Sequence, residues 1–182
     1  MRTLVFGGAR SGKSSLAARL AAERSHSVCC VVTAVPSDKE MAARIDAHRR
    51  ERPPHWRVRE EPVNLSTALI EESGPGQLLL IDCLTLWTAN CLWPPAAASD
   101  PNATFEPDIA GWHTQRDAFL TSLAAATQHH VIIVSNEVGT SLVPENAAAR
   151  LFRDEQGRLN QLVAAVCDSV VLVAAGLPLR LK

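Results

Sequence analysis

Five short runs of largely aliphatic residues are spaced along the chain, and none of them alternates regularly with polar positions. They are Thr3 to Phe6, Val28 to Thr33, Leu78 to Asp82, Val131 to Ser135 and Ser169 to Ala174. Continuous Val, Ile and Leu runs of this kind suit strands covered on both faces, as in a parallel sheet. Between them the apolar spacing predicts helices over Lys13 to Arg24, Asp38 to Arg50, Ser66 to Glu72, Thr114 to Gln128 and Asn146 to Ala165. Strand and helix in alternation predict a three-layer α/β fold: a mostly parallel sheet with flanking helices and right-handed crossovers.

Two stretches interrupt the pattern. Pro53 and Pro54 end the helix before them, because a residue preceding proline is pushed out of the helical region. Trp93 to Trp112 holds Pro94, Pro95, Pro101 and Pro107 and reads as a surface excursion, not a linker. The 182 residues are therefore read as one domain, 1–182, large enough to bury a core. With 47% hydrophobic and 20% charged residues, the composition is that of a soluble globular protein. Eighteen Lys and Arg against nineteen Asp and Glu leave a net charge of −1. That balance removes the electrostatic ground for proposing nucleic acid or an anionic membrane as the partner. Cys29, Cys30, Cys83, Cys91 and Cys167 form no C-x-x-C pair and are read as reduced thiols of a cytoplasmic protein. Met1 leads at once into the first strand, without a cleavable signal, and no apolar run approaches a membrane span.

The strongest chemical signal is the run Gly7, Gly8, Ala9, Arg10, Ser11, Gly12, Lys13, Ser14, a full match to G-x-x-x-x-G-K-[ST]. It follows a hydrophobic strand and opens a helix, which is the context the mechanism needs. Glycines let main-chain N–H groups turn inward around phosphate oxygens, and the helix N-terminus adds its positive end. Lys13 is then expected at the β- and γ-phosphates of GTP or ATP, and Ser14 at Mg²⁺. Four aliphatics followed by Asp82 match the acid expected at a neighbouring strand end, where it holds Mg²⁺ or its waters. Capping of a helix beginning near Leu84 is the alternative role for Asp82.

A third segment, Asp38 to Arg50, begins with acids and ends with bases, as the helix dipole favours, and Asp38 or Ser37 can cap it. Met41, Ile45 and His48 share one face, with Arg44 a turn before His48 and Arg49, Arg50 and Arg52 just after. Two readings stay open from these residues alone. Either the histidine and arginines form a solvated helix end, or the arginines bind nucleotide phosphates and His48 attacks phosphorus.

Several motifs together resemble one enzyme family, the bifunctional adenosylcobinamide kinase/adenosylcobinamide-phosphate guanylyltransferases of adenosylcobalamin synthesis. They are the segment from Thr33 to Pro53, the run Ser135 to Asn146, and Arg150, Phe152 to Asp154 and Gly157 to Gln161 behind it. The likeness extends from the first strand to Lys182 and lapses only in the Pro-rich excursion. It implies a RecA-like P-loop sheet assembled as a trimer, with Mg²⁺, and with GTP and ATP as substrates. Two reactions follow from it: phosphorylation of the adenosylcobinamide hydroxyl, then transfer of GMP from GTP to the phosphorylated cobinamide through a guanylylated histidine. That histidine corresponds to His48, and the family's nucleotide contacts correspond to Gly7 to Ser14, Thr33, Ala34, Val35, Arg49, Arg50, Glu51, Arg52, Glu60 and Asp82. Asn136, Glu137, Pro144, Glu145 and Asn146 also match, either as groups that position the cobinamide hydroxyl or a γ-phosphate, or as helix caps. Arg153, Asp154 and Gln161 match as possible subunit contacts.

Two other functions compete. A plain P-loop small-molecule kinase leaves His48 structural and forms no protein-bound GMP. A GTP-dependent switch reads guanine through N-K-x-D, whereas this chain offers Asn136-Glu137-Val138-Gly139 at the corresponding strand end.

Overall fold

The computed structural model describes residues 1–36, 38–94 and 106–182, with the main chain alone described for Arg44 and Glu51. Its elements run β1 (Arg2–Gly7), α1 (Lys13–Arg24), β2 (Ser27–Val32), α2 (Lys39–Glu51), β3 (Arg57–Glu60), α3 (Leu65–Glu71) and β4 (Gln77–Asp82). They continue with α4 (Leu84–Leu92), α5 (Ile109–Ala125), β5 (His130–Asn136), α6 (Ala147–Val166), β6 (Ser169–Ala174) and β7 (Leu177–Arg180). The strands form one sheet in the order β3-β2-β4-β5-β1-β6-β7, parallel throughout except for β7.

Side chains on alternate strand positions feed two cores, which is why the central strands read as continuous apolar runs. Leu4, Leu79, Ile81, Val131 and Ile133 pack against Trp87, Trp112, Phe119, Leu123 and Leu159 on one face. Val5, Leu78, Leu80, Ile132 and Val134 pack against Leu16, Ala17 and Ala21 of α1 on the other. The three-layer expectation holds. In-register pairing of Gly7 with Asn136 and of Val32 with Asp82 aligns the C-terminal ends of the central strands. In a parallel sheet that edge is where ligands bind.

Four elements differ from the sequence expectation. β7 escapes detection because it is short and exposed at every position, and β3 is marked only by its position after Trp56, three of its four residues being charged and most of them exposed. α4 is buried at Leu84, Thr85, Trp87, Thr88, Cys91 and Leu92, so it lacks the one-sided apolar stripe that marks a surface helix. α5 starts at Ile109, not Thr114, because the Asp108 side chain accepts from the Gly111 N–H at 2.9 Å and caps it. The excursion therefore closes earlier than expected. Its last residue, Trp112, is fully buried, meets Trp87 edge-on at 5.2 Å and donates to Glu155 at 2.8 Å. The middle of the excursion, 95–105, and the alternative cap Ser37 lie outside the described residues. The other cap, Asp38, accepts from Met41 N–H at 2.7 Å.

Candidate active site

The P-loop leaves β1 at Gly7 with no space for a side chain. A Cβ there would stand 2.3 Å from the Val173 carbonyl oxygen and 2.8 Å from Ser11 Oγ. The loop then takes left-handed main-chain conformations at Arg10 (φ 57°) and at Gly12 (φ 92°), the N-cap of α1. Such turns swing successive N–H groups toward one side, the geometry of an anion-binding concavity. No side chain caps α1 and no acid sits in its first turn, which leaves its N-terminal N–H groups for an anion. Lys13 Nζ donates to the Gly8 carbonyl at 3.1 Å across the loop. Burial lowers the Lys13 ammonium from its ordinary value, while the nearby Cys83 and Asp82 charges act in the opposite direction.

A hairpin turn supports this loop from the far side of β6. Ala175 and Gly176 both have positive φ (51° and 79°), the two-residue turn that suits a hairpin's twist. The Gly176 N–H donates to the Ser11 carbonyl at 2.9 Å. Gly176 ahead of the alternating Leu177-Pro178-Leu179-Arg180 is the sequence signal that would have located both the turn and β7.

Asp82 ends β4 and is anchored through its neighbours. Thr33 is fully buried. Its hydroxyl donates to the Cys83 carbonyl at 2.7 Å and accepts from the Cys83 N–H at 3.0 Å, while its own N–H donates to the Asp82 carbonyl at 3.1 Å. Asn90 Nδ2 then donates to the Thr33 carbonyl at 2.8 Å and to Pro62 at 3.1 Å. The Asp82 carboxylate accepts from Arg52 Nη2 at 2.8 Å, both side chains being mostly buried.

These parts meet around one cavity of about 820 Å³. Among the described residues it is lined by 9–15 of the P-loop, Ala34, His48, Arg49, Arg52, Asp82 and Asn136, with Met41 and Ile45 of α2 and Val58 at its apolar side. Structure thus brings Lys13, Ser14, His48, Arg49, Arg52 and Asp82 together from three separated segments. Other expected contacts fall elsewhere. Gly7 lies under the loop, and Gly8 receives Lys13. Thr33 spends its hydroxyl on Cys83, and Val35 and the exposed Arg50 are not among the lining residues. Glu60 is likewise outside the lining and accepts from Arg49 at 2.9 Å, orienting an arginine that does line it. The side chains of Glu51 and Arg44 lie outside the described residues. Sequence reasoning missed Asn90, a polar residue inside an apolar helix, and Thr85, whose hydroxyl accepts from Asn136 N–H at 2.9 Å.

Asp82 and the Ser14 hydroxyl present hard oxygen donors to the cavity, which fits Mg²⁺ held jointly by one carboxylate and nucleotide phosphates.

Comparison with known proteins gives the chain a family and its fold a likeness. The model of the family "Cobinamide kinase / cobinamide phosphate guanyltransferase" matches residues 3–181. The bifunctional adenosylcobalamin biosynthesis protein CobP of Pseudomonas aeruginosa is 44% identical over 100% of this chain and 98% of its own length. The bifunctional adenosylcobalamin biosynthesis protein CobU of Escherichia coli is 40% identical over the full length of both chains. Among solved structures, a prototypical ATPase from the type III secretion system of pathogenic bacteria superposes with a TM-score of 0.55 at 12% identity. That match covers 98% of this chain and 56% of the ATPase chain, and it is a likeness of fold alone.

Proposed function

The chain belongs to the cobinamide kinase / cobinamide phosphate guanyltransferase family, and on that premise we propose that it phosphorylates adenosylcobinamide with ATP or GTP and then attaches GMP from GTP through His48. The observation that carries the reading is that the P-loop, with Lys13, and the α2 residue His48 line one and the same cavity. A phosphate loop alone serves γ-phosphoryl transfer. A histidine facing the same phosphates adds a nucleophile for the α-phosphorus.

Loop N–H groups and Lys13 hold the β- and γ-phosphates. In the kinase step the cobinamide alcohol oxygen bonds to the γ-phosphorus and the nucleoside diphosphate leaves. In the guanylyl step an imidazole nitrogen of His48 bonds to the α-phosphorus of GTP and pyrophosphate leaves with the electrons of the broken P–O bond. An oxygen of the cobinamide phosphate then displaces His48 from phosphorus, giving adenosylcobinamide-GDP. Arg49 and Arg52 lie where charge develops on the transferred phosphate, and fixed cations at that point lower the barrier. Ser14 and Asp82 would hold Mg²⁺, which when bound neutralises phosphate charge.

The proposal extends to a cytoplasmic homo-oligomer, a trimer by the family resemblance. Leu177, Leu179 and Leu181 along the sheet edge, with Leu142 and Val143, are exposed apolar residues that favour an association surface. No helix among the described residues is long and apolar enough to cross a membrane.

The test is incubation of the protein with Mg²⁺ and α-labelled GTP. An acid-labile, alkali-stable adduct is expected, and it disappears in His48→Ala while γ-phosphoryl transfer to cobinamide persists. Labelling that survives His48→Ala would sink the nucleophile assignment, and a plain kinase would give no adduct at all.

A further inference from the structure

Asn136 ends β5, between the strand that enters the P-loop and the strand that ends at Asp82. Its main chain is fully committed. The N–H donates to Thr85 Oγ1 at 2.9 Å, and the carbonyl accepts from Asn160 Nδ2 at 3.0 Å. Asn160 is itself fixed by Ser135 at 2.6 Å and by Gln156 at 3.1 Å. The next residue, Glu137, donates its N–H to the Gly7 carbonyl at 3.1 Å. Asn136 is therefore pinned to the P-loop strand, to α4 and to α6 at once.

Its side-chain oxygen has no such commitment. Asn136 Oδ1 is buried without a hydrogen-bond partner among the described residues, and the residue lines the cavity shared by Lys13, His48 and Asp82. A buried acceptor left unmade is costly, so an acceptor held rigidly in a binding cavity points to a donor brought by the ligand. Triphosphate oxygens carry no hydrogen to donate near neutral pH. The phosphoryl-accepting alcohol does.

We infer that the Asn136 carboxamide oxygen accepts the hydrogen bond of the substrate alcohol and aims that alcohol's oxygen at the γ-phosphorus. The inference rests on the kinase half of the function proposed above and names the group that selects its nucleophile. As the alcohol oxygen bonds to the γ-phosphorus, the bond to the β–γ bridging oxygen breaks, and the nucleoside diphosphate leaves with that electron pair. An amide is too weak a base to keep the proton, which passes to a transferred phosphoryl oxygen and then to solvent. The guanylyl step has no alcohol nucleophile, so it does not call on Asn136.

The experiment compares the full-length wild type with Asn136→Ala and Asn136→Asp in two assays: γ-phosphoryl transfer from ATP to adenosylcobinamide, and GMP labelling from α-labelled GTP. Misplacing a nucleophile costs on the order of 100-fold. Asn136→Ala is expected to lose kinase kcat by that factor, with KM for ATP and the extent of GMP labelling both within about threefold of wild type. Retained labelling also reports that the variant is folded. Asn136→Asp keeps an acceptor and is expected to recover part of the kinase rate. Kinase kcat within about threefold of wild type in Asn136→Ala overturns the inference, as does equal loss in both assays. So does Asn136→Asp falling below Asn136→Ala, which would assign the amide N–H₂ to a phosphate. A wild type that never phosphorylates cobinamide removes the kinase reading itself, whereas an active wild type with an indifferent Asn136→Ala removes only this inference.

Discussion

The Arg52 guanidinium donates to the Asp82 carboxylate at 2.8 Å, in the cavity where nucleotide phosphates and Mg²⁺ are proposed to sit. The arginine and a divalent cation therefore seek the same oxygens. Loading the site should move Arg52 from carboxylate to phosphate, freeing Asp82 as the phosphates arrive. Arg52→Ala separates the two roles. Half-saturating Mg²⁺ for GMP labelling should fall several-fold, because the competing cation is gone. The rate at saturating Mg²⁺ should fall on the order of 10- to 100-fold, because a cation at the reacting phosphate is lost. A Mg²⁺ titration of both proteins checks this, and an unchanged or raised Mg²⁺ requirement would rule out the competition.

Thr33 supports Asp82 from below. Its hydroxyl serves both the N–H and the carbonyl of Cys83, the residue that follows Asp82, and it is wholly shielded from water. Valine has the same shape but leaves the Cys83 N–H unpaired and its carbonyl with the Trp87 N–H alone, at 3.3 Å, a loss of about 1–3 kcal/mol. Thr33→Val should lower the midpoint of urea unfolding and raise the Mg²⁺ needed for either reaction, while Thr33→Ser should keep both near wild type. If Thr33→Val changed nucleotide KM alone, the hydroxyl would be a ligand contact and not a support.

The same residue marks how far sequence reading reaches. Lys13–Arg24 was legible to the residue, since a phosphate motif fixes where its helix starts and apolar spacing fixes the rest. The family resemblance, not residue physics, raised the expectation of a nucleotide contact at Thr33. Nothing in Thr33-Ala34-Val35 reveals that the hydroxyl is turned toward Cys83, fifty positions later. His48, Arg52 and Asp82 were legible as candidates, but the ion pair between the last two joins residues thirty positions apart, at the end of α2 and the end of β4, and no local pattern announces it. β7 was overlooked for a different reason: an edge strand without burial carries no continuous apolar run, and only Gly176 ahead of the alternating Leu177 to Arg180 marks it.

The fit between β6 and the P-loop makes two glycines sensitive for separate reasons. Alanine at Gly7 would drive Cβ into the Val173 carbonyl, and that oxygen belongs to the sheet and cannot yield. Gly7→Ala should displace the loop and weaken nucleotide binding at least tenfold by calorimetry, a loss of roughly 1.4 kcal/mol. At Gly176 there is room for a Cβ, but φ is +79°. Gly176→Ala should cost about 1–2 kcal/mol of stability through strain and weaken nucleotide binding less than Gly7→Ala. The reverse order would show that the turn, not the Gly7 contact, sets the loop's shape.

Acid stability should depend measurably on one strand-to-strand pair at the opposite end of the sheet. Arg2 opens β1 and donates through Nη2 and its own main-chain N–H to Asp168, just before β6, at 2.8 and 2.7 Å. Hydrogen bonds from the Arg2 side chain and main chain hold the Asp168 carboxyl down at about 2, against an ordinary value of 3.8. The folded state therefore binds this proton less readily than the unfolded chain. The pair's contribution is complete above pH 3.8 and is lost as pH falls toward 2. Because Asp168 is 43% exposed, solvent screening limits the contribution to about 1 kcal/mol. Glu72 and Glu155 are also lowered and shape the same acid limb, so the wild type alone cannot assign it. The difference between wild type and Asp168→Asn can. Urea unfolding at a series of pH values should give a gap of about 1 kcal/mol at neutral pH that closes between pH 4 and pH 2. A gap that stays constant across that range would mean that the loss does not depend on the charge of the Asp168 carboxylate, and would rule out its titration as the cause.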